Sequence, residues 1–302
     1  MFAYNKPDTT KKVLKAIASV KPKNFYIILD GPKSIKENRY CNQTKKILEN
    51  INWDCNVERV YSEKNLGLKK RFKSGLDYVF NFESSAIILE DDTLPSKTFF
   101  QYCDDLLELH SENKEIAQIN GFNYLSKVDT KDSYYFSIYP EIWGWATWRD
   151  RWFEFYNDDL NNWEKVKNTQ EFRNLFYSDE EYKYYFQMYE NAYKDIVDSW
   201  DFKWTYSLRM NKKISVSPSV NLIKNLGFGH KGATHTLQRH KYLSVTRNKK
   251  FNMKFPIKHP VNIVRNDKFI NMEFNKKQLK NSKISKLIYF FKKITNFLTT
   301  LK

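Results

Sequence analysis

Three consecutive carboxylates, Glu90, Asp91 and Asp92, follow the apolar run of residues 86–89. Adjacent acids repel one another unless a cation neutralises them. Hard oxygen donors of this kind suit Mn2+ or Mg2+, which can also hold a substrate diphosphate. A solvated turn, with Asp92 or Thr93 starting a helix cap, explains the same triplet without chemistry. A second candidate is Asp201 in the segment WDFKW, between Trp200 and Trp204. Flanking indoles desolvate a carboxylate and raise its pKa, which suits a general base; Asp198, three residues earlier, is the fallback. The plain alternative is that Asp201 caps the helix it starts. A third candidate is GFGHKGATH (227–235), whose three glycines permit a loop to close over a ligand. Its His230, Lys231 and His235 can meet diphosphate charge, and His235 can instead complete a metal site.

The elements that must position these groups alternate. A strand end at residues 2–4, then strands over 24–30, 55–61, 84–90 and 115–120, are separated by helical patterns at 8–20, 35–51, 68–82 and 96–110. Such alternation predicts a parallel sheet covered by helices, with ligands at the carboxyl ends of the strands. Asn5, Lys6, Asp30 and the acidic triplet all fall at those ends. From Tyr134 to Tyr206 the composition shifts: 25 aromatics, including seven of the eight tryptophans, stand in 73 residues. Most of them read as the core of a helical subdomain, while a minority can line a cleft for sugar rings.

Charge is distributed unevenly. Residues 237–302 carry 17 Lys/Arg against Asp267 and Glu273, so nearly all of the net charge of +16 lies there. Over 283–302, apolar residues at helical spacing are accompanied by lysines and no acid, the pattern of a basic amphipathic helix. Such a helix either lies in an anionic membrane interface or packs on the domain. The mean hydropathy is −0.70, and no apolar run approaches the ~20 residues of a membrane span. No secretory signal is expected from MFAYNKPDTT. Cysteines stand only at 41, 55 and 103, without a CxxC pair, which predicts a reducing compartment and neither a disulfide scaffold nor a Cys-based zinc site.

Several of these segments resemble one family. ILEDD leading to a helix resembles the metal-binding DXD-type motif of nucleotide-sugar glycosyltransferases with the GT-A fold. The chain looks most like bacterial relatives of N-acetylglucosaminyltransferase I, over roughly residues 2–236. FAYNKP, IILDGP, NLGLKKRFKSGLDYVF, IYPEIWGWATWRDRW, WDFKW and NLIKNLGFGHKGATH follow the family's order. The resemblance implies an α/β, Rossmann-like GT-A fold: a mostly parallel sheet flanked by helices, an aromatic-rich acceptor-side subdomain, and a basic C-terminal helix. It divides the chain into a transferase domain over 1–236 (donor half 1–125, acceptor half 126–236) and an extension over 237–302.

By the same resemblance, Asp92 and His235 would hold the metal. Tyr4, Asn5, Lys6, Asp30, Glu90, Asp91, Trp145, His230 and Lys231 would bind the nucleotide sugar, with Asp30 on the uracil or ribose. Lys6 replaces the family's usual Arg, keeping the charge but losing the bidentate fork. Asp201 would be the general base of an inverting displacement, with Asp198 in reserve. The expected function is a Mn2+- or Mg2+-dependent hexosyl- or N-acetylhexosaminyltransferase using a UDP-sugar. Its acceptor would be a glycan or lipid-linked oligosaccharide of bacterial surface polysaccharide synthesis, and its place the cytoplasmic face of the membrane. Nucleic acid is not an expected partner, because the body is nearly neutral and no helix-turn-helix, zinc-finger or RNP-like signature occurs. A polyanion-binding protein and an inactive sugar-binding descendant are the alternatives.

Overall fold

The computed structural model describes residues 1–228 and 249–281. His230, Lys231, His235 and the amphipathic segment 283–302 lie outside the described residues. Strands β1 (Phe2–Ala3), β2 (Asn24–Leu29) and β3 (Asn56–Tyr61) pair in parallel. Strands β4 (Ser85–Ile88), β5 (Thr93–Pro95), β6 (Ile116–Asn120), β7 (Tyr134–Ser137), β8 (Trp145–Trp148), β9 (Ile214–Pro218) and β10 (Ile223–Asn225) follow. Five of them form a second sheet in the order β4-β8-β6-β9-β7. The Phe2 amide donates to the Leu89 carbonyl at 2.8 Å, and Phe2 bridges Glu90 in parallel, so β1 and β4 join the two sheets.

The joined sheet is mixed rather than mostly parallel. Parallel pairing holds through β3-β2-β1 and recurs at β6-β9, but β8 runs antiparallel to both β4 and β6, and β7 antiparallel to β9. The strand–helix alternation ends at Asn120, and antiparallel neighbours do not need a crossover helix. A further departure follows the acidic triplet. A strand stands there before the helix: β5 pairs antiparallel with β10.

Helices cover both faces. These are α1 (Pro7–Ala18), α2 (Ile35–Glu49), α3 (Leu68–Phe82), α4 (Phe99–Leu109), α5 (Arg149–Phe155), α6 (Trp163–Val166), α7 (Gln170–Arg173), α8 (Asp179–Tyr193), α9 (Asp201–Met210) and α10 (Asp267–Asn281). Alternate residues of β2 point to opposite cores, as a pleated strand requires. Ile27 and Leu29 pack with Val13 of α1 and Leu106 of α4, while Ile28 packs with Phe72 of α3 and Trp204 of α9. The aromatic stretch builds a third core of Tyr139, Trp163, Phe172, Tyr185, Tyr189 and Tyr206, which Ile270 and Phe274 of α10 complete.

The region after 237 is therefore not a separate extension throughout. Met253 and Ile257 enter the main core, the Phe251 amide donates to Asn221 O at 2.7 Å, and Asn266 N donates to Phe136 O at 2.9 Å. Among the described residues no helix is long and apolar enough to cross a membrane.

Candidate functional site

The acidic triplet leaves the sheet where β4 ends beside β1. Thr93 closes a tight turn over it: the Glu90 amide donates to Thr93 Oγ1 at 2.8 Å, and the Thr93 amide to Glu90 O at 3.1 Å. β5 then carries the chain to β10, whose continuation returns to the acids, with the Leu226 amide donating to Asp92 O at 2.7 Å. A Cβ at Gly227 would lie 2.3 Å from Asp92 Oδ2, so glycine is what lets the backbone pass there. The glycine-rich run thus begins directly against the acidic edge.

The end of β1 supplies the counter-charge. Lys6 Nζ lies 2.7 Å from Asp92 Oδ2 and 3.3 Å from Asp91 Oδ1. Asp91 Oδ2 accepts the Tyr4 amide at 2.9 Å. Burial opposes the charge of Lys6, but Asp91, Asp92 and Glu90 outweigh it and raise the ammonium pKa above its usual value. Burial likewise raises the Asp91 carboxyl against the pull of Lys6. Glu90 is pushed up to about 8, by burial first and then by Asp92, with Asp91 and Asp201 adding to it. One ammonium faces three carboxylates, and Glu90 registers the shortfall.

Beside these residues, Glu37 of α2 orders the β1 end. Its Oε2 accepts the Tyr4 hydroxyl at 2.7 Å and its Oε1 the Asn5 amide group at 3.1 Å. Asn5 Oδ1 is buried with no hydrogen-bond partner among the described residues, so an acceptor remains available at the strand edge. Asp30, directly after β2, is largely engaged. Its carboxylate accepts the amides of Gly31 at 2.9 Å and Leu66 at 3.0 Å, and the Asn65 side chain at 3.1 Å. Burial raises its pKa, and those backbone donors oppose the rise. Asp30 therefore anchors the 65–67 turn that launches α3.

Asp201 opens α9, and the backbone amides of Asp201 and Phe202 serve its carboxylate. Burial, with a smaller push from Glu141, raises it from 3.8 to about 6. Trp200 stacks on Phe72 at 3.9 Å between centroids, and Phe72 on Phe2 at 4.0 Å, so an aromatic column ties α9 to β1. Asp198 is committed elsewhere. Its carboxylate accepts the amides of Leu68 and Lys69, capping α3. Trp145 lies in the core instead of facing a donor: it is 0% exposed, 5.5 Å from Trp200 between ring centroids, and held inside at the start of β8, which runs between β4 and β6.

Glu141 and Lys277 escaped the sequence reading. Lys277 Nζ of α10 lies 2.6 Å from Glu141 Oε1 and 4.1 Å from the Tyr139 ring centroid. The backbone of Glu141 is fixed from β6, its amide donating to Asn120 Oδ1 at 3.0 Å and its carbonyl accepting from Gln118 at 3.0 Å. Gln118 Oε1 in turn accepts the Trp204 indole N–H at 2.7 Å. This network links the floor of α9 to Glu141, whose charge raises the Asp201 carboxyl. Half-buried Trp143, edge-on to Phe228 at 5.2 Å, is the aromatic that meets the start of the glycine-rich run.

The donor set fits a divalent cation in type: hard carboxylate oxygens with uncompensated negative charge. Among the described residues, however, no group of three His, Cys, Asp or Glu side chains is arranged to hold one, and Lys6 stands at Asp92. Neither a protein-family model nor a curated protein matches the sequence.

Proposed function

We propose that the chain is an inverting, metal-dependent glycosyltransferase of GT-A type, moving a sugar from a UDP-sugar to a glycan or lipid-linked acceptor. One observation carries this reading. Groups from the carboxyl ends of three neighbouring strands, Asn5 and Lys6, Asp30, and Glu90 to Asp92, share one edge, and the charge of Asp201 reaches Glu90 there. Carboxyl edges of this kind are where α/β sheets take nucleotides.

In this reading Asp201 accepts the proton of the acceptor hydroxyl as that oxygen bonds to the anomeric carbon. The bond to the diphosphate oxygen breaks on the opposite face, which inverts the configuration and requires no covalent enzyme intermediate. A carboxylate raised to about 6 is ionised at neutral pH yet basic enough to take that proton. A divalent cation held by Asp92 would supply charge stabilisation for the departing diphosphate. Asn5 Oδ1 offers a hydrogen-bond acceptor to the donor. His230, Lys231 and His235 would act from the glycine-rich run. Membrane association would combine 283–302 with the exposed Val261 and Val264 (88% and 68%), which stand among exposed Lys258, Arg265 and Lys268.

The test is thermal stabilisation and donor hydrolysis across a panel of nucleotide sugars, with Mn2+ and with chelator. Stabilisation by a uridine-diphosphate sugar that chelator abolishes is expected. No stabilisation by any nucleotide sugar with metal present overturns the reading. A second reading, an inactive sugar-binding descendant, draws on the contact of Lys6 with Asp92 and predicts sugar binding indifferent to chelator.

A further inference from the structure

We propose that Lys6 and a divalent cation compete for Asp92: the ammonium is the acidic edge's own counter-ion, and metal entry displaces it toward the donor's phosphates. The exchange rests on the proposed function for the metal at Asp92 and for the identity of the anion that then receives Lys6.

The backbone at Lys6 is fixed while its side chain is the adjustable part. Its carbonyl accepts the Thr10 amide at 2.9 Å, the Thr10 hydroxyl at 2.7 Å and the Thr9 hydroxyl at 3.2 Å, so the first turn of α1 clamps it. The Lys6 ammonium reaches from there to Asp92 Oδ2 and Asp91 Oδ1 and neutralises one charge of the triplet. Asp92 Oδ2 is closed on another side by the backbone at Gly227. A metal ion drawn to that oxygen must come close to the place that Nζ occupies. Two cations on one buried carboxylate oxygen repel strongly in a medium of low dielectric constant. The ammonium therefore leaves as the metal enters. A flexible four-carbon stem allows that movement, and a strongly hydrated point charge seeks another anion. A donor diphosphate on the metal would be such an anion, beside Asp91, which Nζ already reaches at 3.3 Å. The apparent metal affinity of the free protein is then reduced by the fraction of molecules in which Lys6 holds Asp92.

Mn2+ binding to the full chain without nucleotide, by calorimetry and by loss of the free-ion paramagnetic resonance signal, tests the exchange. Lys6→Met is expected to bind Mn2+ roughly tenfold tighter than the unaltered protein, since the competitor is gone. Lys6→Arg, which grips both carboxylates through a fork, is expected to bind it more weakly. With Mn2+ saturating, UDP is expected to bind Lys6→Met roughly tenfold more weakly, an effect opposite in sign to that on the metal. Mn2+ affinity that is unchanged or weaker in Lys6→Met overturns the exchange, as does tighter binding in Lys6→Arg. Should Lys6→Met not fold, the Arg variant alone decides. If the metal results hold but UDP binds neither protein, the exchange stands and the nucleotide reading fails.

Discussion

The Asp198 carboxylate accepts the Leu68 amide at 3.0 Å, so a side chain 130 residues downstream caps helix α3. The Lys69 amide reaches the other oxygen at 3.1 Å. Gly67, at φ 80°, makes the approach possible: a Cβ there would sit 2.8 Å from Asp198 Oδ2. An aspartate that satisfies two amides at a helix N-terminus contributes stability and is poorly placed to accept a substrate proton. Asp198→Ala is expected to lower the unfolding free energy by about 1 kcal/mol while leaving the proton-accepting step intact. Urea denaturation beside a transfer assay separates the two effects, and a large activity loss in a fully folded variant would return Asp198 to the catalytic set.

Asp201 carries the opposite expectation. Its pKa of about 6 places the ionised form in the majority at neutral pH. In the proposed mechanism kcat/KM rises with pH through about 6 and levels off above it. Asp201→Asn is expected to remove that limb and to lower the rate roughly 100-fold or more. Burial is the main cause of the rise, two backbone amides oppose it, and Glu141 adds a smaller push, so Glu141→Gln is expected to move the limb to lower pH without abolishing turnover. A limb that stays in place in Glu141→Gln argues against Asp201 as its origin.

Gly227 offers a third check, on the acidic edge itself. An alanine methyl placed 2.3 Å from Asp92 Oδ2 forces either the carboxylate or the chain after β10 to move. Gly227→Ala is expected to weaken the Mn2+-dependent stabilisation by a nucleotide sugar roughly tenfold or more, since small misplacements in a site are costly. Titration of the melting temperature against ligand measures it, with Asp92→Asn as the reference for complete loss.

The sequence was most legible where pattern and burial coincide. The run NFYIIL becomes β2 because both faces of a central parallel strand are covered, and α3 spans the residues that its apolar spacing marks out. The clustering of Asn5, Lys6, Asp30 and the acidic triplet followed from strand polarity alone. Long-range pairings were not legible. Neither TLP nor IKN carries a strand pattern, yet they pair as β5 and β10 because the chain returns from β9 to the acidic edge. The resemblance sets Trp145 among the donor-binding residues, and sequence alone cannot distinguish a buried indole from a cleft wall. Lysine richness hid the apolar set Met253, Ile257, Ile270 and Phe274 that folds the later chain onto the sheet. Spacing gives no hint that Lys277 meets Glu141, since their contact depends on where α10 docks.

Docking of α10 makes the last prediction, concerning pH. Glu273 is 0% exposed; its carboxylate accepts the Tyr135 hydroxyl at 2.7 Å and the Ser137 hydroxyl at 2.9 Å. Burial raises its pKa from 4.5 to about 7, although Lys277 and both hydroxyls pull the other way. A carboxyl whose folded pKa is raised contributes stability that is fully present below its unfolded value and is lost as pH rises through the folded one. For Glu273 that window runs from about 4.5 to about 7, and the loss is on the order of 3 kcal/mol. Glu90 and Asp201, both raised, act in the same direction. His110 acts in the opposite one, since burial lowers it from 6.5 to about 4 and its contribution fades on acidification through that range. Unfolding followed from about pH 4.5 to 7 is therefore the informative range, and comparison with Glu273→Gln cancels the His110 contribution, which both proteins share. The unaltered protein is expected to lose stability across it, and Glu273→Gln to lose clearly less. Identical slopes in the two proteins would mean that Glu273 keeps its charge inside the fold, with Lys277 compensating it.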